Sequence, residues 1–121
     1  MKGLHRVGII GASDIARKVF IPILAKREDC EIVALCSRTK DTAIELAAEF
    51  GIKFVYDDLD EFLKRDDIDA VFVCTPTDTH LSIVSAVLNR SKSVLVEKPL
   101  TTINEQDLSL FELARSKSQT F

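Results

Sequence analysis

Cysteine is scarce in this chain. Cys30, Cys36 and Cys74 are an odd, scattered set without a CxxC pair, which argues against a disulfide framework and against a zinc site. Cys36 and Cys74 lie inside apolar runs, where a thiol is expected to be buried and inert. An excess of positive charge is also missing: 16 Lys and Arg face 19 Asp and Glu, for a formal net charge of −3. That balance excludes a general pull toward nucleic acid or an anionic membrane, so any affinity for a phosphate-bearing ligand must come from local geometry. Long apolar runs are missing as well. Val7–Ile10 is interrupted by Gly8 and closed by Gly11, too short for a signal segment or a membrane span, and a cytoplasmic protein is expected. There is no repeat, low-complexity tract or linker. What remains is an ordinary globular composition, 46% hydrophobic and 29% charged over 121 residues, enough for one domain with a real core.

Strand and helix patterns alternate along the whole chain. Val7–Ile10 reads as a buried strand, followed by Ile15, Val19, Phe20 and Ile23 at helical spacing. Pro22 should kink that helix or restart it, because it lacks a backbone donor. Glu31–Cys36 is the second strand. Ala43, Leu46, Ala47 and Phe50 mark one face of a second helix, and Gly51 stands where a left-handed C-cap is wanted. Lys53–Tyr56 is a short third strand. Asp58 and Glu61 have capping-box spacing ahead of Leu59, Phe62 and Leu63. Ala70–Cys74 reads as a fourth strand buried on both faces, followed by a helix from about Thr79 to Asn89 and a fifth strand, Ser93–Val96. Thr102 and Glu105 repeat the capping-box spacing before Leu108, Phe111 and Ala114. Such alternation predicts an α/β fold: a Rossmann-type, doubly wound parallel sheet with helices on both faces. The sheet is expected to be incomplete at its C-terminal edge, since no strand follows the last helix.

Four segments fall at the carboxyl ends of the predicted strands, the edge where open α/β sheets bind ligands. Gly11-Ala12-Ser13-Asp14-Ile15-Ala16 joins the first strand to the first helix. Gly11 suits a tight turn and Ala16 is small enough for close helix–strand packing, while Ser13 stands where a second glycine is usual. After the second strand, an acid would accept bonds from the ribose hydroxyls of NAD. Ser37 and Arg38 occupy that place, with Lys40 close by, and cations there suit a 2′-phosphate. The plainer alternative is a pair of solvated charges leading into a helix. Thr75-Pro76-Thr77-Asp78-Thr79-His80 follows the fourth strand; here Asp78 or Thr79 as a cap, and His80 as a first-turn residue, are equally open. Glu97-Lys98-Pro99 follows the fifth.

The order GxSxxA, SR, TPxxxH and EKP, at these spacings, resembles the N-terminal domain of the glucose–fructose oxidoreductase, inositol dehydrogenase and rhizopine-catabolism family, from Arg6 to about Ala114. The resemblance implies an oxidoreductase that moves a hydride between NADP, or NAD, and a sugar, cyclitol or related compound. It puts Gly11, Ser13, Asp14 and Ile15 at the pyrophosphate, Ser37 and Arg38 at the adenosine end, Thr75, Pro76 and His80 beside the dinucleotide, and Glu97 and Lys98 near the nicotinamide. Lys98 is the residue it implies for catalysis, contacting substrate hydroxyl and cofactor. Residues 1–121 would then be the dinucleotide-binding domain, with the substrate domain and its acid/base residues lying beyond this chain and the full protein forming a homo-oligomer. This chain alone is expected to have no turnover. The other reading is a non-catalytic, dinucleotide-sensing protein on the same scaffold.

Overall fold

The computed structural model describes residues 5–96, 110 and 112–116. Among these residues five strands form one parallel sheet: β1 (His5–Ile10), β2 (Cys30–Cys36), β3 (Phe54–Tyr56), β4 (Ala70–Val73) and β5 (Ser93–Val96). Their order is β3-β2-β1-β4-β5. The chain therefore winds outward from β1 to β3, crosses back over, and winds outward the other way. Right-handed crossovers put the connections of the two halves on opposite faces, as the alternating sequence pattern requires. The direction of winding reverses between β1 and β4, so the connections leaving these strands run to opposite faces, the place where open α/β sheets bind ligands.

The first face is covered by a helical segment after β1 and by α2 (Lys40–Phe50). Ala16, Ile21, Leu24, Ala43, Leu46 and Ala47 pack there on Val7, Ile9 and Leu35. The opposite face carries α3 (Leu59–Leu63), α4 (His80–Asn89) and the described part of 110–116. Phe62, Leu63, Val84, Val87, Leu88, Leu110 and Ala114 meet Ile10, Val71 and Val73 there. Gly8 leaves room for this second layer, since a Cβ on it would lie 2.5 Å from the Phe62 ring.

The segment after β1 departs from its expected face. It turns helical at Asp14, widens into a π-helical turn over Ala16–Phe20, and continues as α1 (Ile21–Lys26). The Ile21 N–H donates to the Ala16 carbonyl, five residues back. In such a turn residues five apart share a face, so Ala16 and Ile21 are buried together, with Leu24 one further turn on. The stripe Ile15, Val19 and Ile23 is displaced to the surface, 38%, 41% and 56% exposed. Pro22 marks the restart of the helix: it lies in the first turn of α1, where the π-helical turn gives way to α-helix.

Other boundaries shift slightly. β4 ends at Val73, and only Val71 and Val73 are fully buried in it. Phe72, on the first face, meets Phe20 edge-on at 5.8 Å, and its β5 neighbour Leu95 is half exposed. Among the described residues that face carries the helical segments preceding β2 and β3, so β4 is buried on one side and half-buried, at Phe72, on the other. Gly51 is the left-handed C-cap of α2, at φ +70°. Asp58 caps α3 by accepting from the Asp60 N–H at 3.0 Å, but Glu61 bonds Lys64 instead of closing a capping box. Thr102, Glu105, Leu108 and Phe111 lie outside the described residues.

Candidate functional site

The turn after β1 is pinned from both sides. The Gly11 N–H donates to the Cys36 carbonyl of β2 at 2.7 Å, and the Cys74 N–H, just past β4, donates to the Ile10 carbonyl at 2.8 Å. Gly11 adopts φ +104°, and a Cβ on it would lie 2.9 Å from the Cys74 carbonyl oxygen and 2.9 Å from Thr75 Cγ2. Only glycine meets both conditions, and its absence of side chain lets the turns of β1 and β4 abut.

Ser13 then serves the helix start. Its Oγ accepts from the Ala16 N–H at 3.3 Å and its carbonyl accepts from the Arg17 N–H at 3.0 Å. This is an N-cap arrangement. The serine that replaces the usual second glycine thus directs its acceptor oxygen toward its own helix. Asp14 is exposed and pairs with Arg17 at 3.1 Å; Ile15 is exposed.

A cleft of about 470 Å³ opens at this edge, within the usual range of small-molecule sites. Ile10, Gly11, Ala12 and Ser13 line it from the first turn, and Cys36, Ser37, Arg38 and Thr39 from the end of β2. Asp57 and Leu59 follow β3, Cys74, Thr75 and Pro76 follow β4, and Thr79, Ser82 and Ile83 belong to the start of α4. The Ser37 N–H donates to the Tyr56 carbonyl at 2.9 Å, tying the β2 turn to β3. Its hydroxyl accepts from the Thr39 N–H at 3.2 Å. Arg6, Arg17, Arg27 and Arg65 each hold an aspartate; Arg38 has no such partner among the described residues and is exposed.

The loop after β4 is braced from within. Thr79 Oγ1 lies 2.6 Å from the Pro76 carbonyl and 2.7 Å from Thr75 Oγ1. A carbonyl only accepts, so the Thr79 proton goes to it and Thr75 supplies the proton of the other bond. His80 is buried, with Nε2 2.8 Å from the Thr75 carbonyl. That bond requires the proton on Nε2, and His80 faces the loop backbone instead of lining the cleft.

Of the residues singled out in the sequence, the cleft brings together Gly11, Ser13, Ser37, Arg38, Thr75 and Pro76. Asp14, Ile15 and His80 do not line it, and Glu97 and Lys98 lie outside the described residues. Sequence reasoning missed Asp57 and Leu59, which reach the cleft through the place of β3 beside β2, and Ser82 and Ile83, which reach it through the packing of α4. The position of Asp57 directly after a strand was the one available signal. The Cys36 thiol contributes no reactive group here. Burial, aided by Asp58 and Asp57, pushes Cys36 up to about 11, so it is a neutral thiol at ordinary pH. Among the described residues no three His, Cys, Asp or Glu side chains gather to hold a metal, and no helix is long and apolar enough to cross a membrane.

A family described as oxidoreductases with an NAD-binding Rossmann fold matches residues 5–121. The chain belongs to that family. It is 42% identical over 112 residues to a dTDP-3,4-didehydro-2,6-dideoxy-alpha-D-glucose 3-reductase of Streptomyces antibioticus, covering 93% of this chain and 34% of the relative. Among solved structures, KijD10, a 3-ketoreductase from Actinomadura kijaniata in complex with NADP, superposes with a TM-score of 0.91 at 38% identity. That match covers 97% of this chain and 37% of the other. GenD2 from gentamicin A biosynthesis, in complex with NAD, gives 0.92 at 28% identity, over 98% and 34%. The chain thus spans about a third of the length of the relatives it matches. The doubly wound Rossmann fold expected from the sequence is the one observed, and the resemblance on which the family was inferred is borne out.

Proposed function

We propose that this chain holds the dinucleotide of an oxidoreductase that transfers a hydride between NADP(H), or less tightly NAD(H), and a carbon of a sugar, cyclitol or related hydroxy or carbonyl compound. The observation that carries the reading is one juxtaposition. A glycine turn with no room for a side chain meets, in one cleft at the reversal of strand order, an arginine without an acidic partner among the described residues. The residues present fit the dinucleotide. The first-turn amides of a helix have no carbonyl behind them and favour phosphate oxygens. Asp14 and Ile15 would contribute such backbone N–H groups in this reading, while Ser13 fixes the turn. Ser37 and Arg38 would receive the adenosine end, the guanidinium neutralising a 2′-phosphate through charge-assisted bonds. Thr75 and Pro76 would flank the dinucleotide, held in place by Thr79 and His80.

When bound, the nicotinamide supplies the hydride chemistry. Glu97 and Lys98 directly follow β5, which runs parallel to the other strands and so ends at the same edge. In this reading Lys98 orients the reacting oxygen and stabilises negative charge developing on it. The substrate domain, its proton donor or acceptor, a cytoplasmic location and a homo-oligomeric state belong to the same proposal. Of the three relatives, a reductase of a nucleotide-linked sugar and a 3-ketoreductase in complex with NADP support the substrate class and NADP, and GenD2, in complex with NAD, supports the wider choice of nucleotide.

Calorimetric titration of NADPH and NADH tests the reading. NADPH should bind more tightly, and Arg38→Ala should weaken it selectively by about 1–3 kcal/mol. Equal affinities in the parent chain, or unchanged NADPH affinity in the variant, contradict it.

A further inference from the structure

The end of β2 lacks the acid that would receive a ribose, yet a carboxylate stands one strand away. Cys36 pairs with Tyr56 in the parallel ladder, so Ser37 and Asp57 are the next residues on neighbouring strands, whose backbones run about 4.8 Å apart. The bond from the Ser37 N–H to the Tyr56 carbonyl, at 2.9 Å, holds the two turns together at that point. Asp57 is exposed and lines the same cleft as Ser37 and Arg38.

Two neighbouring acids are engaged elsewhere. Asp58 caps α3, and Glu61 pairs with Lys64. Among the described residues, Asp57 has neither a hydrogen bond nor an ion pair, and Arg38 lies in the same cleft without pairing to it. A carboxylate and a guanidinium are therefore both available to one ligand. Their preferences oppose each other. A 2′-phosphate, carrying nearly two negative charges, is attracted by the guanidinium and repelled by the carboxylate. A 2′-hydroxyl donates to the carboxylate and gains little from the guanidinium.

We infer that Asp57 is a specificity-determining residue, supplying from β3 the acid missing from β2 and narrowing the preference of the cleft for NADP(H) over NAD(H). This rests on the reading of the cleft as the adenosine end of a dinucleotide site. Asp57→Asn removes the charge and keeps the size. It should raise the ratio of NADPH to NADH affinity about five- to twenty-fold at low salt, with a smaller effect at high salt. Asp57→Glu, which keeps the charge, should stay near the parent ratio.

The experiment is a titration of both nucleotides against the intact protein, Asp57→Asn, Asp57→Glu and Arg38→Ala, at two salt concentrations. An unchanged ratio in Asp57→Asn, while Arg38→Ala still loses NADPH, overturns the role of Asp57 and leaves the reading of the cleft standing. Equal shifts in the Asn and Glu variants overturn it too, because a change of shape would then explain both. If the parent protein binds neither nucleotide, the cleft reading and this inference fall together.

Discussion

Replacing Gly11 by alanine separates two costs that the turn after β1 combines. The first is conformational: at φ +104° a side chain is strained whatever the surrounding space, at about 1–2 kcal/mol. The second is steric. The new Cβ would meet the Cys74 carbonyl oxygen and Thr75 Cγ2 at 2.9 Å each, and the carbonyl is backbone. Relief by rotation is blocked, because the Gly11 N–H bonds to Cys36 of β2 and the Cys74 N–H bonds to Ile10 at the end of β1. Overpacking of this kind costs about 1–3 kcal/mol, for a total near 2–5 kcal/mol. For a chain of 121 residues, about 4 °C is lost per kcal/mol, so the melting temperature should fall by roughly 8–20 °C. Gly51→Ala is the internal control. That glycine also has positive φ, +70°, but nothing lies within 4 Å of its Cβ position, so only about 1 kcal/mol should be lost. Thermal melts followed by circular dichroism give both values. Equal losses in the two variants would refute the claim that close approach of the β1 and β4 turns makes glycine obligatory at position 11.

Two further outcomes follow from buried polar groups. Lys92 is buried, and its Nζ donates to the Arg65 and Ile68 carbonyls at 2.7 and 3.2 Å. Lys92→Met leaves both acceptors without that donor and should cost about 2–4 kcal/mol in urea unfolding; a loss below about 1 kcal/mol would show that the connection before β4 does not depend on it. Burial first, then Asp58 and Asp57, raises the Cys36 thiol from 9.0 to about 11 in the folded chain. The folded state therefore holds this proton more tightly than the unfolded one, and the stability it contributes is present below pH 9 and lost as pH rises toward 11. The loss should be about 2 kcal/mol after allowance for solvent screening. Cys36→Ala should flatten that decline, and a variant with the same alkaline slope would rule the thiol out as its source.

The sheet was legible because periodicity and turn chemistry agreed. Ala43, Leu46 and Ala47 repeat at α-helical spacing and are all buried, and Gly51 caps the helix as its position suggested. The segment after β1 was misread because the α-helical template assumes spacings of three and four, whereas Ala16 and Ile21 are five apart across a π-turn. The incomplete burial of Phe72 was missed because an apolar run does not reveal which side of the sheet its neighbours cover. Within the cleft, Gly11, Ser37, Arg38 and Thr75 announced themselves by following strands. Ser82 and Ile83 carry no such mark, since they enter through the packing of α4 against β4 and β5. His80 stood out as a lone histidine in a loop motif, but only coordinates show its ring bonding back to Thr75.

The central claim is that the dinucleotide binds where strand order reverses. The most direct measurement is an NMR titration of the isotopically labelled protein with NADPH, followed through its backbone amides. The amides of Gly11, Ala12, Ser13, Ser37, Arg38, Thr39, Asp57 and Thr75 should shift together with a single affinity. Asp29 and Ser91, in turns at the opposite edge of the sheet, should stay in place. Shifts centred on that opposite edge, or none at saturating nucleotide, would contradict the account.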